Sequence, residues 1–185
     1  QVRALTQIGQ VRLEQGKHAP ALEAFRGAHA RALELSRRAP RDGDRLFDLS
    51  QAEYWIGLVA WRQRDLDAAE RWMHAYRDRT EALVKLDPAR FDWQREVAYA
   101  YHNLAVLDDS RGRHAQAAAA FERELALYRE WLPAHPDDTL LRFEAANVAS
   151  WLGSTNARLG RLEAAEAYFL EADQGHAANQ AAEPN

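Results

Sequence analysis

The chain has no cysteine, which excludes disulfides, thiolate metal sites and a cysteine nucleophile. It is nearly without lysine: Lys17 and Lys85 stand against 22 arginines. Nowhere does it reach the roughly 18 uninterrupted apolar residues that a membrane helix needs. Glycine is scarce and dispersed, nine in 185 residues, so there is no glycine-rich phosphate loop. Neither sign of charge dominates; the net charge of -4 gives no basic face of the kind nucleic acid requires. What the chain does have is alanine, 37 residues of it, and a hydrophobic share of 47%. That is too apolar and too charge-balanced for a disordered chain. Its length suits one domain or one short array. Gln1 is followed by no signal-like stretch, so the sequence is expected to be a piece of a longer protein. The expected compartment is the cytoplasm, with the periplasm the alternative if that longer protein carries a membrane anchor.

A step of 48 residues organises the sequence. It relates Gly9, Gly57, Ala105 and Gly153, and in the preceding column Ile8, Ile56, Leu104 and Leu152. The same step relates Gly16, Arg64, Gly112 and Gly160, then Ala21, Ala69, Ala117 and Ala165. A bulky column follows at Phe25, Met73, Phe121 and Phe169, and Pro40, Pro88 and Pro136 keep the register. Six columns without an insertion define four units, approximately 1–39, 40–87, 88–135 and 136–175. Together they form one array over 1–175, and 176–185 is expected to be a polar, frayed tail.

Each unit is expected to hold two helices. The first carries apolar residues at helical spacing, as in Val97, Ala100, Tyr101, Leu104 and Ala105, or Ala145, Val148, Ala149, Leu152 and Gly153. It ends near the Gly16 column, where glycine tolerates a left-handed backbone. The second helix begins within a few residues; Asp67 and Glu70 have capping-box spacing. Its buried stripe is Ala69, Trp72, Met73 and Tyr76, matched by Ala117, Ala120 and Phe121 and by Ala165, Tyr168 and Phe169. Small residues in the Gly9 and Ala21 columns let paired helices approach, and the Phe25 column fills the space between them. The segments around Ala39-Pro40, Asp87-Pro88 and His135-Pro136-Asp137-Asp138 break the pattern at the unit boundaries. One hairpin cannot bury its own apolar face, so neighbours must stack.

The order small–Gly–x6–Gly–x4–Ala–x3–Phe–x2–Ala resembles the tetratricopeptide repeat. Leu5, Ile8, Gly9, Gly16, Ala21, Phe25 and Ala28 stand at that motif's offsets, as do Leu152, Gly153, Gly160, Ala165, Phe169 and Ala172. The third unit shows Tyr101, Asn103, Leu104, Ala105, Gly112, Ala117 and Phe121. The second departs most, with Arg64 for glycine and Met73 for the aromatic. The resemblance implies an all-α fold, a right-handed α-solenoid of four antiparallel helix hairpins. The period of 48 exceeds the usual 34. Asp87-Pro88, the helix start Asp92-Trp93-Gln94-Arg95-Glu96 and Asn103-Leu104-Ala105 are similar to long-period arrays attached to bacterial regulatory proteins, among them kinases and transcription regulators.

Little in the sequence points to catalysis. No two of the seven histidines sit three or four residues apart, so the spacing that holds zinc from one helix face is missing. His102, Asp108, Asp109 and His114 form the nearest polar cluster, read as a solvated helix end rather than a metal site. There is no glycine-flanked serine elbow. Arg37, Arg38, Arg41 and Arg45 are interleaved with Asp42, Asp44 and Asp48, so their charge nearly cancels. An enzyme, a cofactor, a metal, nucleic acid and direct membrane insertion are therefore not expected.

In the tetratricopeptide fold, first helices line a concave groove, and counting around each helix assigns its positions here. The first unit gives Arg3, Thr6, Gln10 and Leu13; the second Gln51, Tyr54, Leu58 and Trp61. The third gives Tyr99, His102, Val106 and Asp109, and the fourth Asn147, Ser150, Ser154 and Ala157. Tyrosine and tryptophan there suit partner binding. Expected partner-binding residues are Gln51, Tyr54, Leu58, Trp61, Tyr99, His102, Val106 and Asn147. The partner is expected to be a peptide or helix of another protein, or an effector domain of the same chain. A ligand-sensing domain and a self-associating spacer are the alternatives. The lysine, arginine and asparagine clamp that some tetratricopeptide arrays use for chaperone termini is absent.

Overall fold

The computed structural model describes residues 1–182, which form eight α-helices and one 3-10 turn, with no strand among them. The helices are α1 (Val2–Glu14), α2 (His18–Arg38), α3 (Gly43–Arg62), α4 (Leu66–Leu86), α5 (Phe91–Ser110), α6 (His114–Trp131), α7 (Thr139–Arg158) and α8 (Leu162–Ala182). The starts of α2, α4, α6 and α8 lie 48 residues apart, as do those of α3, α5 and α7. The chain divides into two compact units, Gln1–Ala100 and a second beginning at Tyr101. The division falls inside α5 and not at any of the proline breaks.

Local chemistry explains where the helices stop and start. Gly16, Gly112 and Gly160 adopt φ of 71–73°, and Arg64 adopts the same left-handed backbone at φ 64. Each turn closes with a bond across five residues, such as Lys17 N–H to Arg12 O at 2.8 Å and Asp65 N–H to Ala60 O at 3.0 Å. Only Arg64 meets the requirement with a side chain that opposes it. Aspartates cap the next starts: Asp42 accepts from Arg45 N–H, Asp65 from Ala68 N–H and Asp138 from Leu141 N–H. The cap of α4 is thus Asp65, not Asp67, which lies within the first turn because the helix begins at Leu66.

Within the first unit α1 packs on α2, α2 on α3 and α3 on α4; within the second α6 packs on α7 and α7 on α8. The small and bulky columns touch as the sequence predicts. A Cβ at Gly9 would sit 2.4 Å from the Phe25 ring, and one at Gly153 2.7 Å from Phe169. Phe25, with Leu13, Ala21, Ile56 and Val59, forms one core cluster, and Leu46, Leu83 and Trp93 form another.

Three expectations of burial and order are corrected. Ile8 is 45% exposed and Phe169 40% exposed, although both belong to columns that are buried elsewhere. Each lies on the first or the last hairpin described, and no other described helix covers that face. The tail expected to fray is helical through Ala182. Alanine favours the helix, a Cβ at Gly175 would lie 2.8 Å from Ala146 Cβ, and Asn179 donates to Thr139 O at 2.9 Å while accepting from Arg142. Residues 183–185 of that tail lie outside the described ones.

Candidate functional site

In the first unit Arg3 is exposed and Leu13 buried, while Gln51, Tyr54, Leu58, Trp61 and Tyr99 are half-buried. Gln51 on α3 donates to Glu96 Oε2 at 2.7 Å, and the Tyr76 hydroxyl donates to the same oxygen. Tyr54 stands edge-on to Trp55 at 5.1 Å and tilted against Tyr76 at 5.4 Å. Leu58 packs on the Phe25 cluster. Burial raises the Tyr54 pKa and, more strongly, that of Tyr76, where the Glu96 charge adds to the effect. Burial likewise pushes Glu96 above the ordinary carboxylate range, against the bonds from Tyr76 and Gln51. Tyr99 accepts from Arg95 Nη2 at 2.6 Å. Trp61 is half-buried at the end of α3.

The second unit differs. His102 on α5 and Asn147, Ser150, Trp151 and Ser154 on α7 line an open pocket of roughly 400 Å³. Three of the predicted stripe residues on α7 and one on α5 therefore meet at one place. Val106, one turn beyond His102, is half-buried, and Asp109 accepts from Arg158 at 2.8 Å and has His114 Nδ1 at 2.9 Å from its Oδ1. The His102–Asp108–Asp109–His114 cluster is thus tied into ion pairs, Asp108 with Arg113 at 2.6 Å. Among the described residues no group of three or more histidine or acidic side chains is placed to hold a metal.

The floor of the pocket is fixed from behind. His102 Nδ1 lies 3.0 Å from Glu124 Oε2, and Glu124 is only 2% exposed. Burial raises the Glu124 pKa; the bond and charge of His102 oppose that rise, and Glu144 adds to it. The imidazole also stands edge-on to Phe121 at 5.6 Å and to Trp151 at 6.2 Å. Ser154 bonds to the Ser150 carbonyl at 3.1 Å, as helical serines do. The pocket therefore offers the amide of Asn147 and the hydroxyls of Ser150 and Ser154 beside an aromatic wall, with Glu124 buried behind His102.

Trp151 was missed by counting around the helix, which places it between the groove stripe and the buried stripe. It stacks on Phe121 at 5.6 Å and 18° yet remains 37% exposed. The signal that could have found it is Trp55, 96 positions earlier, which stacks on Phe25 at 5.4 Å and 9°.

With this geometry, comparison with known proteins is direct. A tetratricopeptide repeat family model matches residues 146–174, the α7–α8 hairpin. Among solved structures, BtubC from P. vanneervenii superposes with a TM-score of 0.77 at 20% identity, over 100% of this chain and 66% of that one. This chain thus spans just under two thirds of BtubC. MamA superposes more loosely, with a TM-score of 0.48 at 16% identity over 100% of this chain and 96% of that one. No curated protein matches the sequence. The chain carries tetratricopeptide-like helical repeats, and its fold is the all-α hairpin solenoid that BtubC shares. No helix among the described residues is long and apolar enough to cross a membrane.

Proposed function

We propose that this chain is a protein-interaction module of a larger bacterial regulatory protein. It holds a short segment of a partner, or of its own longer chain, against the first-helix faces, with the pocket of the second unit as the focus. One observation carries the reading: the groove positions His102, Asn147, Ser150 and Ser154 converge with the exposed face of Trp151 on one open pocket. A segment lying there would place an apolar side chain on the indole, and its peptide groups would meet Asn147, Ser150 and Ser154. The regulatory setting is supported only by the Asp87-Pro88 and Trp93-Gln94-Arg95-Glu96 resemblance.

A second reading rests on the size of the pocket. About 400 Å³ lies within the range of small-ligand sites, so a metabolite-sensing domain is the rival. The test is a pull-down from native lysate with the wild type, a Ser150→Tyr/Ser154→Leu variant and a Tyr54→Ala/Leu58→Ala/Trp61→Ala variant, each first shown to be folded by circular dichroism. Loss of a partner from the first variant supports the pocket. Loss only from the second moves the site to the first unit. Thermal stabilisation of the wild type by a metabolite pool, with no protein captured, favours the sensing reading.

A further inference from the structure

The repeat supplies its own control for the pair at the back of the pocket. The step of 48 residues relates Tyr54 on α3 to His102 on α5, and on the second helices it relates Ala28, Tyr76, Glu124 and Ala172. All four of the latter are buried. In the first unit the two columns meet as the Tyr54 and Tyr76 rings, 5.4 Å apart. In the second they meet as His102 Nδ1 and Glu124 Oε2, 3.0 Å apart. Alanine or tyrosine therefore satisfies the fold at this place. Glu124 alone of the four buries a carboxyl, which is costly unless it is paired.

One nitrogen of the ring is left to the pocket. With Nδ1 turned onto Glu124, Nε2 has no bonding partner among the described residues, and the side chain is 33% exposed. Two protonation states are compatible with the short Nδ1–Oε2 contact. With two protons the pair is neutral overall, whether written as imidazolium and carboxylate or as imidazole and carboxylic acid, and in both forms Nε2 carries a proton. With one proton, that proton sits between Nδ1 and Oε2, the pair is negative, and Nε2 is a bare acceptor. Burial favours the neutral pair, and the charge of Glu144 on α7 acts on Glu124 in the same direction. Of the other charges nearby, Arg123 on α6 lies over the Tyr101 ring. Along α5, Asp108 is held by Arg113, and Asp109 by Arg158 of α7 with His114 of α6 beside it.

We infer that the His102–Glu124 pair makes the pocket a proton-linked reader of peptide carbonyls: in its two-proton state His102 donates through Nε2–H to a carbonyl oxygen of the bound segment, and loss of one proton turns that contact repulsive. A bare Nε2 would face the carbonyl lone pair to lone pair. This use of the pair rests on the pocket being the binding site. It adds which group the segment must offer there and what loosens its hold.

The test uses the whole chain and one probe, N-acetyl-leucine N-methylamide, which has an apolar side chain, two carbonyls and no titrating group. While pH is stepped upward, the ring nitrogens of His102 are followed by nitrogen NMR and the probe by the Trp151 indole N–H resonance. Nε2 is expected to carry a proton at the lower end and to lose it as pH rises, with Nδ1 keeping its own. Probe affinity is expected to fall about fivefold over the same step, the worth of one hydrogen bond. In Glu124→Gln that step in affinity is expected to vanish, because the amide carries no titrating charge; should this variant unfold, the wild-type ring nitrogens still decide. A probe that binds while Nε2 is bare from the outset, or equally well through the proton loss, overturns the inference and leaves the pocket a binding site. A step retained in folded Glu124→Gln overturns it too. No movement of Trp151 at any pH removes the pocket as a peptide site, and the inference with it.

Discussion

The same set of repeat positions is built twice, once in each unit, with opposite results. Across α1 and α3 it reads Thr6, Gln51, Tyr54, Trp55 and Leu58; across α5 and α7, 96 positions later, it reads His102, Asn147, Ser150, Trp151 and Ser154. The tryptophan is kept, because it stacks on the phenylalanine of the preceding second helix in both. Around it, tyrosine and leucine are exchanged for two serines. In the first unit Tyr54 and Leu58 pack against aromatic neighbours and the Phe25 cluster. In the second, the serines are too small to reach across, and a pocket remains. A groove stripe in such a repeat is thus either packing or binding surface, and side-chain volume decides which.

Exchanging the stripes is the sharpest way to break this contrast. Tyr54→Ser with Leu58→Ser removes packing and is expected to cost about 2–3 kcal/mol in urea denaturation, on the scale of large-to-small changes at partly buried sites. Ser150→Tyr with Ser154→Leu should cost far less, since it fills open space. Equal losses would mean that both stripes are structural. Next in size, Asn147→Ala should weaken binding of a captured partner about tenfold, or roughly 1.4 kcal/mol by titration calorimetry, while leaving the unfolding midpoint in place.

The buried acid behind the pocket gives a pH signature. Because the folded-state pKa of Glu124 is raised, folding favours its protonated form. Its stabilising contribution is full below the ordinary glutamate value and is lost as pH rises through the higher folded value. Denaturation at stepped pH should therefore show Glu124→Gln gaining on the wild type as pH rises through that window, with the amide oxygen still able to accept from His102. A constant difference between the two proteins would place the carboxylate in an unperturbed setting. The smallest effect is expected at the turn after α3: Arg64→Gly should stabilise by about 0.5–1 kcal/mol in thermal unfolding, because glycine adopts φ 64 without steric cost. A glycine that destabilised would show the arginine side chain to be holding the turn.

Much of the fold is legible in the sequence because its signals are local or periodic. The glycine column marks the left-handed turns at Gly16, Gly112 and Gly160, and even the exception at Arg64 takes the same backbone. The Gly9 and Phe25 columns announce a contact that the structure realises. Asp65 and Asp67 are both aspartates before the same alanines, and only the helix start at Leu66 distinguishes the cap from a first-turn residue. That α8 runs on to Ala182 is not legible from polar composition, because Asn179 finds its partners Thr139 and Arg142 some 40 positions away.

By itself, then, the sequence determined the repeat, the helix pairs, their turns and which column meets which, since each follows from spacing along one chain. Only the tertiary structure decided which predicted groove residues face open space. It committed Gln51 to Glu96 and Tyr54 to Tyr76, left Asn147, Ser150 and Ser154 around a pocket, and added Trp151 to them. Those outcomes depend on the volumes of side chains brought together from separate helices, a quantity that spacing within any one helix does not contain.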